Sequence, residues 1–256
     1  MEEAYSEFAY SYDMFMDNIP YESWGKYICE LLMENGIRDG LVLELGCGTG
    51  NMTEILAGAG YDMIGIDISD DMLNIALEKK YESGHDILYL NQDMRDFELY
   101  GTVRAVVSVC DSVNYILNEE EVLKTFKLVN NYLDPGGIFI FDMITEKKFV
   151  NIGDSTIADN RDDASFIWEN TYYKEEKINR YDLTIFEKSE DGRYDRYDET
   201  HYQRVYDKEV IQKLLEEAGL EFVTAYNAIS HDYPDNNSER IYYIAKEIQK
   251  ERHENE

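Results

Sequence analysis

The sequence predicts an α/β protein: a seven-stranded, mostly parallel sheet with helices on both faces, plus a small antiparallel β insertion. Three observations predict it. From Leu41 to Asp67 the chain reads apolar run, glycine turn, helical stretch, apolar run, acid. From there to Met143, short apolar runs keep alternating with helix-length segments, the pattern of parallel strands joined by helical crossovers. From Ser165 to Tyr206 the period changes to two, which marks antiparallel strands. At 256 residues the chain fits one large domain carrying an insertion. Residues 1–36 read as N-terminal helices, 37–150 as the central core, 160–206 as the insertion and 207–247 as the segment that completes the core.

Bulk properties exclude several classes. The chain is 44% hydrophobic, enough for a packed core, and has no run of 18 apolar residues to span a membrane. Its N-terminus, MEEAYSEFAYSYDMF, has acids where a signal peptide has a basic start, so a cytoplasmic protein without a membrane partner is expected. Net charge is −30, from 54 acids against 24 bases, and no segment is a basic patch. Such a surface repels phosphate backbones and argues against nucleic acid as a partner. Cys29, Cys47 and Cys110 are isolated from one another and from the four histidines, so neither a disulfide framework nor a metal site is expected. The oligomeric state expected is a monomer or homodimer.

The elements follow in order. Tyr5 to Asn18 places Phe8, Tyr12, Phe15 and Met16 at helical spacing. Pro20 restarts the chain at a helix N-terminus, where its missing N–H costs little. Trp24, Tyr27, Ile28, Leu31 and Leu32 give that second helix an apolar face up to Gly36. Leu41-Val42-Leu43 is a buried strand. Glu44-Leu45-Gly46-Cys47-Gly48-Thr49-Gly50 follows, and Asn51 to Ala59 is a helix with Met52, Ile55, Leu56 and Ala59 on one face. Met63 to Ile66 is the next strand, ending on Asp67.

Glycine tolerates the backbone angles that a direct strand-to-helix turn needs. It also lets a ligand lie against backbone N–H groups at the helix N-terminus. Asp67, 21 residues after Gly46, falls at the tip of the second strand, where a carboxylate accepts both hydroxyls of a ribose. The unit is a Rossmann-like, adenosine-binding βαβ. The dinucleotide pattern G-x-G-x-x-G would need glycine at position 51, which is Asn51, and no phosphate-loop lysine follows Gly50.

What stands here is E-x-G-x-G-x-G, and it resembles the first motif of the class I S-adenosylmethionine-dependent methyltransferases. The resemblance implies that S-adenosyl-L-methionine is the methyl donor and S-adenosyl-L-homocysteine the product. It implies that Glu44 orders the loop, that Gly46, Cys47, Gly48 and Gly50 face the methionine moiety, and that Asp67 holds the ribose. In small-molecule members of the family, N-terminal helices often fold over the cofactor. Tyr5, Tyr12, Tyr21 and Trp24 are therefore candidates for closing the site, with aromatic faces suited to a sulfonium cation.

Ser69 followed by Asp70-Asp71 starts the next helix, which runs to about Gly84. The resemblance places Ile68 and Met72 on the adenine side. Ile87 to Leu90 is the third strand, and Asn91 to Phe97 after it resembles the family segment that approaches adenine, with Asp93 as a ligand residue, the Met94 backbone as a donor to the ring and Arg95 as an ion-pair partner. Val103 to Val109 is a central strand, apolar on both faces. Its end, Cys110-Asp111-Ser112-Val113-Asn114-Tyr115, lies where open α/β sheets bind ligands. Cys110 is expected against the cofactor, with Asp111 as a catalytic candidate and Tyr115 as a substrate contact. Glu119 to Tyr132 is a helix, Asp134-Pro135-Gly136-Gly137 a turn, and Ile138 to Met143 the fifth strand.

The insertion reads as three strands, with a turn at Glu190 to Arg193, and its layout is similar to additions in methyltransferases of glycine and amino sugars. His201 at its end is a candidate general base, and Arg204 a grip for a substrate anion. Lys208 to Gly219 is a helix capped by Asp207, and Leu220–Ile229 with Arg240–Lys246 adds a closing hairpin. The expected activity is transfer of a methyl group to a small-molecule acceptor by in-line displacement. The alternatives are an NAD-dependent oxidoreductase and a non-catalytic protein that binds S-adenosylmethionine.

Overall fold

The structure, a computed structural model, describes residues 9–16, 19–189 and 191–250. The expectations for Tyr5, Phe8 and Glu190 lie outside the described residues. Eleven strands form two sheets among them. The larger comprises β1 (Leu41–Leu45), β2 (Asp62–Asp67), β3 (Ile87–Asn91), β4 (Val103–Ser108), β5 (Leu133–Ile144), β10 (Leu220–Asn227) and β11 (Arg240–Glu247). Its spatial order is β10-β11-β5-β4-β1-β2-β3, and β11 runs antiparallel to both neighbours.

The alternation of strand side chains divides the core in two. Val42, Met63, Ala105, Val107, Ile138 and Ile140 face α2 (Tyr21–Glu34) and α3 (Asn51–Gly58), with Tyr27, Ile28, Leu31 and Leu56 packed on them. Leu43, Leu45, Ile64, Ile66, Val106, Phe139 and Phe141 face the other way, onto α5 (Glu119–Tyr132) and α7 (Lys208–Glu217). Phe141 stacks between Phe139 and Tyr243 at centroid distances of 4.6 and 5.0 Å. Glu44 shares the parity of Val42, so the sheet itself turns its carboxylate towards α3. The Ser69 hydroxyl accepts the Met72 N–H and caps α4 (Asp70–Ser83) as its sequence predicts.

Three expectations are corrected. The insertion has four strands: β6 (Ser155–Asn160) precedes β7 (Ala164–Tyr173), β8 (Ile178–Lys188) and β9 (Tyr194–Arg204), and α6 (Glu146–Ile152) leads into it. In β6, Ile157 and Ala158 are exposed and no apolar alternation announces the strand; pairing with β7 makes it. The Asp134–Gly137 segment is an irregular start of β5, with its register to β4 shifting between Val103 and Ala105. Asp207 occupies the N-cap position of α7, yet its carboxylate accepts from Lys177 Nζ at 2.6 Å and makes no capping bond.

The inserted sheet lies against α1 (Ala9–Phe15): Phe15 meets Phe166 edge to face at 4.7 Å and packs with Ala164, Leu183 and Ile185. Asn114, fully buried, ties the chain after β4 to the ends of β5 and β9, donating to the Ile144 and Arg204 carbonyls and accepting the Ile144 N–H. Among the described residues no helix is long and apolar enough to cross a membrane.

Candidate active site

A cavity of about 240 Å³ opens at the carboxyl ends of β4, β1, β2 and β3. With strands about 4.8 Å apart, these four tips span roughly 14 Å. The segments after β2 and β3 supply Asp67, Ile68, Met72, Gln92, Asp93, Met94 and Arg95 to one side. The glycine turn after β1 forms the middle, and the segment after β4 supplies Cys110, Ser112, Tyr115 and Ile116 to the other side. Tyr12 and Tyr21 close it from α1 and α2.

The turn is built from left-handed backbone: Gly46, Gly48 and Gly50 have φ of +69°, +53° and +78°. A Cβ at Gly48 would stand in open space, so this residue leaves the cavity clear. At Gly50 it would fall 2.5 Å from the Tyr89 hydroxyl and 3.0 Å from Ala76, so here glycine is required by packing as well. Asp67 accepts the Gly48 N–H at 2.8 Å and the Ser69 N–H at 2.9 Å. Each carboxylate oxygen keeps a further lone pair for a ligand. Glu44 accepts the Thr53 hydroxyl beneath the turn.

Electrostatics differ along the cavity. Burial pushes the Glu44 carboxyl up to about 8, against the Thr53 hydrogen bond and with a further push from Asp67. Burial also raises Asp67, which its backbone N–H partners partly offset. At Asp93 burial pulls upward too, but the Arg95 guanidinium, gripping both carboxylate oxygens, holds the group below the ordinary range. On the β4 side, burial raises the Cys110 thiol and the Tyr21 hydroxyl, so both stay neutral.

The first helix is latched to the turn. Asp13 accepts from Thr49 Oγ1 and Asn51 Nδ2, both at 2.8 Å, and pairs with Lys79 Nζ at 2.5 Å. A helix N-terminus after a glycine turn attracts anions, and here the chain's own carboxylate stands beside it.

Residues 42–137 match the family model described as a methyltransferase domain. A putative methyltransferase of Bacillus subtilis is 36% identical over 244 residues, covering 94% of this chain and 96% of its own. The chain is a class I methyltransferase. A solved S-adenosylmethionine-dependent methyltransferase from Clostridium acetobutylicum superposes with a TM-score of 0.84 at 29% identity, covering 96% of this chain and 99% of its own. A glycine/sarcosine N-methyltransferase of Halorhodospira halochloris is 23% identical over 90% of this chain and 83% of its own. S-adenosylmethionine is the methyltransferase's cofactor, and the open Gly48, the lone pairs left on Asp67 and the aromatic closure by Tyr12 and Tyr21 fit it.

In the methyltransferase, Tyr12, Glu44, Gly46, Cys47, Gly48, Asp67, Ile68, Met72, Asp93, Met94, Cys110 and Tyr115 line the cavity. Gly50 shapes the turn without lining it. Four candidates stand elsewhere. Trp24 packs on the α2–α3 side of the core, its ring 5.1 Å from the Arg240 guanidinium. Asp111 is paired with Arg240 at 2.6 Å and bonded by Gln203 at 2.5 Å. His201 is buried, with Nε2 at 2.9 Å from Glu199 and its ring edge-on to Tyr115 at 6.2 Å. Arg204 donates to the Leu117 carbonyl at 2.9 Å and lies 5.5 Å from the Tyr206 ring centre.

Sequence reasoning missed Asp13, Lys79, Asp142 and Arg240. Asp142 carried a signal: an acid inside the apolar run Ile138–Met143. Asn51 was read only for the glycine it replaces, and its positive role is to hold Asp13 and Lys79.

Proposed function

We propose that the enzyme transfers its methyl group to an amine nitrogen of a small molecule. Bound S-adenosylmethionine supplies a methyl group already made electrophilic by a sulfonium. The protein's task is to hold the acceptor lone pair behind the S–CH3 bond, at about 3–3.5 Å. In this reading Asp93, the Met94 backbone, Ile68 and Met72 hold the adenine side, and Asp67 holds the ribose. Gly46, Cys47 and Gly48 run beneath the middle, and Cys110, Tyr12, Tyr21 and Tyr115 surround the methyl end.

One observation carries the choice of nitrogen: among the described residues the β4-side wall contains no ionised base. Tyr12, Tyr21, Cys110, Ser112 and Tyr115 form it, while the nearby Asp111 carboxylate is committed to Arg240 and Gln203. A hydroxyl acceptor needs a partner to take its proton; a neutral amine attacks with its own lone pair and sheds a proton to solvent afterwards. The N-methyltransferase named among the relatives supports the same reading. His201, with Glu199, then acts by backing Tyr115, and Arg204 by tying β9 to the segment after β4.

The enzyme works in this proposal in the cytoplasm, as a monomer or homodimer, on a free metabolite. Three cysteines without disulfides suit a reducing compartment, and a net charge of −30 opposes nucleic-acid binding. Incubation of metabolite extracts with donor labelled in its methyl group tests the acceptor. The expected product carries label on nitrogen; label on oxygen, sulfur or carbon would overturn the choice.

A further inference from the structure

A buried charge cluster lies behind the β4-side wall. Asp142, with no exposed surface, sits near the end of β5, and Arg240 opens β11 beside it. Arg240 donates to Asp142 through Nη1 and to Asp111 Oδ1 through Nη2, the latter at 2.6 Å. The second Asp142 oxygen accepts the Asp111 backbone N–H at 2.8 Å. The second Asp111 oxygen accepts Gln203 Nε2, and the Gln203 carbonyl in turn accepts the Tyr181 hydroxyl at 2.8 Å. Strands β5, β8, β9 and β11, the segment after β4 and helix α2, through Trp24, all meet there.

What the cluster grips is a strained piece of backbone. Cys110 and Asp111 are consecutive residues with side chains at φ +60° and +57°. Such residues are strained in this region and persist only where surrounding structure over-determines them. The bonds to the Asp111 backbone and carboxylate supply that determination. The 3₁₀ turn that begins at Ser112 inherits its direction from this pair, and with it the placement of Ser112 and Tyr115 in the cavity wall.

We infer that Arg240 is a positioning residue, clamping the tip of β4 so that its wall receives the amino-acid end of the cofactor, and that Gln203 links this clamp to the inserted sheet. The inference rests on the proposed orientation, with adenosine towards β2 and β3 and the methionine part, methyl and amino-acid ends together, towards β4. Arg240 acts here through its planar fork, which reaches two carboxylates at once; lysine keeps the charge and loses the fork.

Calorimetry with two probes tests it: S-adenosylhomocysteine, and 5′-methylthioadenosine, which lacks the amino-acid end. Arg240→Lys is expected to weaken S-adenosylhomocysteine at least tenfold while methylthioadenosine binds as to wild type. Gln203→Leu, which leaves the ion cluster intact, is expected to shift the same difference by about two- to fivefold. Two outcomes in Arg240→Lys overturn the inference: unchanged S-adenosylhomocysteine affinity, or equal weakening of both probes, which is the signature of a purely structural cluster. Wild-type protein that binds the two probes equally would instead sink the orientation, and the inference with it.

Discussion

The cofactor half and the inserted sheet meet the same cavity by different means. Around β1 and β2 the cavity lining is gathered within Leu41–Asp67: the left-handed Gly46 and Gly48, their neighbours in the turn, and the acids Glu44 and Asp67. The inserted sheet reaches the site through other elements: Gln203 bonds Asp111, His201 meets Tyr115, and the Arg204 carbonyl accepts from Asn114. A donor common to many reactions can be held by local chain geometry. The support behind the β4-side wall is assembled from parts far apart in sequence, such as Gln203 and Asp111, 92 residues apart.

Asp67→Ala gives the largest expected effect and tests the local half directly. It removes the acceptor proposed for two ribose hydroxyls and also the tie to Gly48. Charge-assisted hydrogen bonds of this kind are worth about 2–4 kcal/mol together, so S-adenosylmethionine affinity should fall between tens and about a thousandfold. Unchanged affinity by calorimetry would remove the ribose role and with it the contrast between the halves.

Next comes a paired substitution, one glycine from each half. Gly50→Ala must adopt φ +78° and drive a methyl group to 2.5 Å from the Tyr89 hydroxyl. Gly192→Ala, in the β8–β9 turn, has a similar φ of +81° and nothing within 4 Å. Backbone strain alone costs about 1–2 kcal/mol, so denaturant unfolding should show both variants destabilised and Gly50→Ala by about 1 kcal/mol more. Equal losses would mean that Tyr89 yields freely and that packing does not constrain the turn.

That contrast also explains what was legible. The order β1, turn, α3, β2, Asp67 could be read because each residue's task is local: an apolar run to bury, a glycine for a positive φ, an acid at a strand tip. Asp142 and Arg240 could not be paired by reading, because 98 residues separate them and only antiparallel β11 brings them together. Asp111 and His201 drew notice as titratable groups near expected strand ends. Their neighbours decide their use, and those neighbours belong to the tertiary structure. Strand β6 was missed because it contributes hydrogen bonds at a sheet edge without an apolar face.

Glu44 gives an effect that belongs to the cofactor half alone. Its folded carboxyl titrates at about 8 against an ordinary 4.5. Between those values the folded protein holds a proton that the unfolded chain has released. This contribution to stability is therefore full below about pH 4.5, falls as pH rises and is lost by about pH 8, with a slope near 1.4 kcal/mol per pH unit. Raised Asp67 adds to the fall in the same direction. Glu44→Gln still accepts from Thr53 and does not titrate, so its unfolding midpoint should change less with pH across this window. Identical pH profiles for the two proteins would show that Glu44 titrates normally.

The smallest expected effect is His201→Ala on donor affinity, and it is the sharpest test of the division between the halves. The His201 ring stands behind Tyr115, on the β4 side, and Glu199 is its partner in the inserted sheet. Loss of the ring leaves the glycine turn, Asp67 and the Asp93–Arg95 pair untouched, so S-adenosylhomocysteine should bind within about twofold of wild type. Stability should still fall, by about 1–3 kcal/mol, because the buried Glu199 carboxylate loses its 2.9 Å contact. Turnover with an identified amine should drop through a poorer acceptor fit, raising KM more than it lowers kcat. A tenfold loss in S-adenosylhomocysteine affinity would show that the inserted sheet shapes the donor site itself, and the local encoding of that site would no longer stand.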